Sequence, residues 1–147
     1  MTLTTAQQAK LTELAALEVA ALMTTERQPT LEVALPLTVV SRINRGGHWT
    51  AVAEAAKKHR TAAHLKMRSA LRARRLKVAR AVVQLVRVRP VGLRGLDDDN
   101  LRGGFKAVRD GVADALGIDD GDARVRWLYA EVEGERYGVV IRVWSWQ

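Results

Sequence analysis

The chain contains no cysteine, which excludes disulfides and thiolate–zinc sites together. Histidine is nearly as scarce: His48, His59 and His64 are the whole supply. His59 and His64 lie five apart, off the i, i+4 spacing of one helical face, and read as surface or polyanion-contacting residues. No apolar run approaches the roughly 20 residues that cross a bilayer. The N-terminus has neither the basic start nor the short apolar stretch of a secretory signal. A cytosolic protein without a membrane partner is expected. Proline occurs only as Pro29, Pro36 and Pro90, and aromatics are few: four Trp, two Tyr and one Phe.

A more informative absence is local. Between Glu54 and Asp97 there is no acidic residue. The same stretch carries Lys57, Lys58, Arg60, Lys66, Arg68, Arg72, Arg74, Arg75, Lys77, Arg80, Arg87, Arg89 and Arg94. An ordinary solvated helix face mixes its signs, because like charges at i, i+4 repel. Single-sign segregation favours a phosphate-binding surface, in line with the formal +8 charge. The interleaved apolar residues are mostly Ala, which argues against a membrane surface.

The 147 residues, 48 % of them hydrophobic, fit one globular domain. Leu11, Leu14, Leu17 and Leu22 predict a helix over 5–23, an extension spanning 1–30 ahead of a domain at 31–147. LEVALPLTVV, Leu31 to Val40, predicts a strand that Pro36 confines to an edge or a bulge. Ser41 to Trp49 is a basic, Gly-containing loop, Thr50 a candidate N-cap, and Ala51 to Leu71 an Ala-rich helix. Lys77 to Val88 is a β-branched strand closed by Arg89-Pro90. Leu101 to Leu116 has helical spacing through Phe105, Val108 and Val112, with Gly117 as its C-cap. Arg124 to Val132 and Tyr137 to Trp146 read as a C-terminal hairpin turned at Glu133 to Arg136. The order α-β-α-β-α-β-β predicts one α/β (mixed α+β) domain, a small mixed sheet flanked by helices, without repeats or linkers.

Two acidic groups bracket the last helix, Asp97-Asp98-Asp99-Asn100 before it and Asp119-Asp120-Gly121-Asp122 after it. In extended backbone, Asp97 and Asp99 point the same way and Asp98 the other. Oxygen donors without His or Cys suit Mg²⁺, Mn²⁺ or Ca²⁺. The plainer role of such residues is to cap a helix, complement its dipole and solvate a turn. An EF-hand is excluded, because Leu101 and Arg102 occupy positions that need a ligand and a glycine. No G-x-x-x-x-G-K-[ST] or G-x-G-x-x-G occurs. What tips the reading toward chemistry is the basic tract beside the acids. Carboxylates repel phosphate unless a cation lies between them, a combination suited to metal-assisted phosphodiester cleavage.

Asp97-Asp98-Asp99-Asn100, then Lys106-Ala107-Val108-Arg109-Asp110, then Asp119-Asp120 ahead of Val125, resembles the D-x-D-N, K-A-x-x-D and D-D motifs of the RusA family of Holliday-junction resolvases. Leu35-Pro36, Ser41 and Asn44 upstream are also similar, so the likeness runs from about Leu31 to Val143. The resemblance implies a homodimer that nicks branched DNA with Mg²⁺ (Mn²⁺ as a substitute) and no small-molecule cofactor. It implies Asp97, Asp99 and Asp120 as metal ligands and catalytic acids, Lys106 as the basic catalytic residue, and Asn100 as a cap and orienter. Asp122 is the alternative third ligand by its distance from Val125. Five residues separate Asn100 from Lys106 where the family typically has two, so Arg102 can stand in for Lys106. Arg42, Arg45, Lys57, Lys58, Arg60, Lys66, Arg68 and Arg102 are the expected DNA contacts. Trp127, Trp144 and Trp146 read as core or interface aromatics, and Trp49, beside the basic loop, as a possible wedge between bases. The competing expectations are a non-catalytic nucleic-acid-binding protein on the same fold and an assembly subunit with an acidic partner.

Overall fold

The computed structural model describes residues 4–6, 28–41 and 49–146. The predicted helix over 5–23 therefore lies almost wholly outside the described residues, as does the basic loop holding Arg42, Asn44, Arg45 and His48. The described elements run β1 (Leu31–Leu35), α1 (Trp49–Ala73), β2 (Arg80–Pro90), α2 (Asp98–Gly104), α3 (Lys106–Leu116), β3 (Val125–Gly134) and β4 (Gly138–Trp146). They form one mixed α+β domain around a four-stranded sheet in the order β1-β4-β2-β3.

The central strand is β2, antiparallel to β4 and parallel to β3. Val82, Val83, Leu85 and Val86 are each at most 1 % exposed, so β2 buries apolar side chains on both faces, Val83 and Leu85 in the main core and Val82 against Trp144. Parallel pairing of β2 with β3 requires a crossover, which α2 and α3 supply. The helices lie over the face that carries Val33, Leu85, Val125 and Ile141, forming the main core with Phe105, Val108, Val112 and Met67. Val82, Trp144 and the partly buried Leu128 make a second small cluster. No helix among the described residues is long and apolar enough to cross a membrane.

The predicted C-terminal hairpin is not formed: β3 and β4 lie on opposite sides of β2. Their short connection arches over the end of β2, about 10 Å for two strand spacings. The passage is tight. A Cβ on Gly134 would lie 2.6 Å from Val88 Cγ1. Alternating residues on either side of a Gly-containing turn reveal that two strands exist, but not which neighbour each selects.

Pro36 ends β1, which is an edge strand as its proline requires. The chain stays extended to Val39, burying Leu37 and Val39 without ladder bonds. Thr50 falls inside α1 instead of capping it. His59 is buried on the core face of α1 with Ala63, Met67 and Leu71, not on the surface as its sequence context suggests. The single helix expected from Leu101 is two, starting at Asp98 and offset at Phe105. Two of the three glycines in these helices, Gly104 and Gly111, are close-approach points. A Cβ at Gly111 would sit 2.3 Å from the Arg60 carbonyl oxygen, and one at Gly104 would sit 2.8 Å from that of Val40.

Candidate functional site

The loop from Val91 to Asp97 delivers the acids to α2, and a partly buried charge network fixes its position. Arg87 and Glu131 are directly paired in register on β2 and β3. Arg87 Nη1 donates to Glu131 Oε2 at 2.9 Å, and Arg87 Nε donates to the Val39 carbonyl at 2.7 Å. Arg89 Nε donates to Glu131 Oε1 at 2.8 Å, and Arg89 Nη1 to the Leu93 carbonyl at 2.6 Å. The Leu96 N–H donates to Glu131 Oε2 at 3.2 Å. Gly95 passes over the carboxylate so closely that a Cβ there would meet Oε1 at 2.3 Å. Burial alone would push the Glu131 carboxyl up. The Leu96 N–H and the two guanidiniums outweigh it and hold the group below the usual glutamate range.

Asp97 is the N-cap of α2. Its backbone is extended, and its Oδ1 accepts the Asn100 N–H at 2.9 Å. Asn100 is thus the capped residue and not the cap. Its side-chain Oδ1 accepts the hydroxyl of buried Ser41 at 2.7 Å, tying α2 to the chain that continues from β1. Asp98 and Asp99 occupy the first turn of α2 and are exposed. The expectation that Asp97 and Asp99 point the same way fails, because two-residue alternation holds only in extended chain and the helix begins at Asp98. Among the described residues, Asp98 and Asp99 have no hydrogen-bonded or ion-pair partner.

The other expected acids are engaged by arginines. Asp122 closes the turn before β3: Arg124 donates to it from its backbone N–H at 2.9 Å and from Nη2 at 2.8 Å. The Arg124 guanidinium holds the Asp122 carboxyl below the usual range. Asp120 faces Arg109, whose Nη2 donates to the Asp120 backbone carbonyl at 2.8 Å. Arg109 Nε lies 3.5 Å from Asp120 Oδ2 without completing a hydrogen bond. Arg109 also lies over the Trp127 ring, and its Nη1 donates to the Tyr129 hydroxyl at 3.0 Å.

Among the described residues, no three of His, Cys, Asp and Glu are grouped so as to hold a metal ion. Asp97, Asp99 and Asp120 or Asp122 therefore do not form the three-acid set that the resemblance implies. The first is turned to its cap and the latter two to guanidiniums. Lys106 opens α3 and lies 3.6 Å from Asp110, and Arg102, its alternative, lies over the Tyr129 ring.

Of the expected DNA contacts, Lys57, Lys58, Lys66 and Arg68 project from the exposed side of α1. Arg60 is held by a two-point bond to Asp114 at 2.8 and 3.0 Å. That bond raises the Arg60 pKa above its ordinary value and lowers that of Asp114. Lys57, Arg60 and Lys106 line one groove between α1 and α3, with Asp110 at its edge. Trp127 is half-buried and Trp144 buried, as core aromatics should be, whereas Trp49 is 73 % exposed. Sequence reading missed Arg87, Glu131 and Arg109. For Arg87 the available signal was a charge on the face of β2 that Ala81, Val83 and Leu85 bury.

No protein-family model matches the chain, and no curated protein matches it.

Proposed function

We propose that this protein is a Mg²⁺-dependent, structure-selective DNA endonuclease that resolves four-way junctions by paired nicks, acting as a homodimer in a bacterial or phage-infected cytoplasm. The observation that carries this reading is Asp99, exposed in the first turn of α2 and, among the described residues, without a hydrogen-bonded or ion-pair partner, just past a loop anchored by Glu131, in a chain whose α1 exposes Lys57, Lys58, Lys66 and Arg68. The order of the D-x-D-N, K-A-x-x-D and D-D motifs supports it further. The basic face gathers the phosphate backbone. Lys106 or Arg102 is the cation on hand for charge developing on the attacked phosphate. Mg²⁺ takes hard oxygen ligands of the kind Asp97, Asp99 and Asp120 offer. Among the described residues they are not gathered into a ligand set.

One observation favours a second reading, a nucleic-acid-binding protein without catalysis: Asp97, Asp120 and Asp122 are each engaged in structure. Purified protein incubated with a synthetic four-way junction decides between them. Paired nicks that require Mg²⁺ or Mn²⁺, and that Asp99→Asn abolishes while junction binding persists, support the nuclease. Tight, salt-sensitive binding with the junction left intact under both cations supports the second reading.

A further inference from the structure

One cavity among the described residues has no part in the proposal above. It lies where α1 ends against the end of α3, with a volume of about 620 Å³, within the range of small-ligand sites. Arg68, Arg72, Arg75 and Lys77 line it over an apolar floor that includes Leu76 and Leu116. All four cations are exposed, and among the described residues none has an acidic partner. The end of α1 does not need them as caps. Its carbonyls at Ala70, Arg72 and Leu71 accept the backbone N–H groups of Arg74, Arg75 and Leu76. Arg75 is the only described non-glycine residue with positive φ, at 50°, a place where glycine is the usual choice. The chain puts a guanidinium there instead.

We propose that this cavity binds one unstacked nucleotide of a nucleic-acid strand, separately from the acids of α2. The cations hold its phosphates, and the sugar and base cover the Leu76–Leu116 floor. Charge complementarity favours a phosphate-bearing occupant, and the apolar floor favours one that carries a flat organic group as well. Lys106 and Leu116 open and close α3, whose 11 residues span about 16 Å, so the cavity lies a helix length from Lys106. A strand that reaches both is held at two points, which suits a substrate whose strands diverge. The inference rests on the nucleic-acid part of the proposed function and not on catalysis.

The test uses the full chain and the oligonucleotide (dT)₁₂. Amide shifts at Ala115 and Leu116 should accompany saturation. The double variant Arg72→Gln/Arg75→Gln should bind (dT)₁₂ roughly tenfold more weakly at low salt. Its log-affinity against log-salt slope should be shallower by about 1.4, two contacts at roughly 0.7 each for single strands. Unchanged affinity and slope in that variant would overturn the proposal. So would equal amide shifts with poly-glutamate, which carries charge without a base. Junction nicking measured on the same samples keeps the two ideas apart. Loss of nicking in Asp99→Asn with normal (dT)₁₂ binding supports both, whereas normal pocket binding with no nicking by the wild type refutes only the nuclease.

Discussion

Replacing Glu131 by Gln is the sharpest test of how the acidic loop is held. The two carboxylate oxygens accept from three donors: Arg87 Nη1, Arg89 Nε and the Leu96 N–H. A glutamine amide must turn its NH₂ toward at least one of them, so a donor faces a donor and the charge is lost. The Arg87 side chain is only 4 % exposed and Glu131 15 %. Breaking a buried pair by removing one partner costs about 3–5 kcal/mol. The lower end applies here, because Arg87 keeps its bond to the Val39 carbonyl. The expected loss is therefore about 3 kcal/mol, a fall in Tm of about 6–12 °C for a domain of this size. Glu133→Gln is the control. That residue meets the same Arg89 at 3.3 Å but is 52 % exposed, and should cost under about 0.5 kcal/mol. Calorimetry and urea titration read both. A loss below about 1 kcal/mol for Glu131→Gln would place the network among surface ion pairs and refute the argument. The pH dependence has a definite sign. A carboxyl depressed in the folded state contributes above its unfolded value, near 4.3, and loses that contribution as pH falls through the lower folded value. The stability gap between wild type and Glu131→Gln should be constant above about pH 5 and narrow in stronger acid.

Asp97→Ala should destabilise by about 1 kcal/mol through the lost cap, whereas Asp97→Asn should be near neutral, because asparagine caps as well; urea titration separates them, and under the nuclease reading both stop nicking. Gly111→Ala brings a Cβ within 2.3 Å of the Arg60 carbonyl and 3.0 Å of Ala63 Cβ. It should cost about 2 kcal/mol despite the better helix propensity of alanine, a prediction that an unchanged Tm would refute. Lys58→Gln and Lys66→Gln should leave stability within about 0.5 kcal/mol of wild type, and each should lower the salt slope of duplex binding by about 0.9.

Elements whose pattern is local could be read directly. Leu31, Val33 and Leu35 alternate into the core, and Ala63, Met67 and Leu71 recur at four-residue steps on α1. What could not be read depends on partners far along the chain. Nothing in the turn at Glu133 to Arg136 announces that β2 lies between β3 and β4. The Arg87–Glu131 pair joins residues 44 apart, and neither charge by itself names the other as its partner. Gly104 and Gly111 look like flaws in a helix until Val40 and Arg60 are brought against them. Asp97 to Asp99 do stand at a loop-to-helix junction, but the helix starts three residues earlier than expected, at Asp98 and not Leu101, and that changes their geometry.

That shift does not force a choice between capping and ligation at Asp97. The cap uses Oδ1 alone, and the second carboxylate oxygen stays available to a cation at the exposed end of α2. The two candidates for the third acid differ in the same respect. Arg124 contacts both oxygens of Asp122, at 3.2 Å from Nε to each and 2.8 Å from Nη2 to Oδ2, while its backbone N–H takes Oδ1 as well. Recruiting Asp122 would dismantle the turn that starts β3. Asp120 meets Arg109 side chain to side chain only at 3.5 Å, and the stronger bond in that pair goes to its backbone carbonyl. Its carboxylate can swing to another partner while Arg109 stays anchored by that carbonyl and by Tyr129. The cheaper rearrangement therefore runs through Asp120, and the variants should rank accordingly. Under the nuclease reading, Asp120→Asn should suppress cation-dependent nicking and leave Tm nearly unchanged, whereas Asp122→Asn should lower Tm through the loosened turn, with any effect on nicking following the loss of fold.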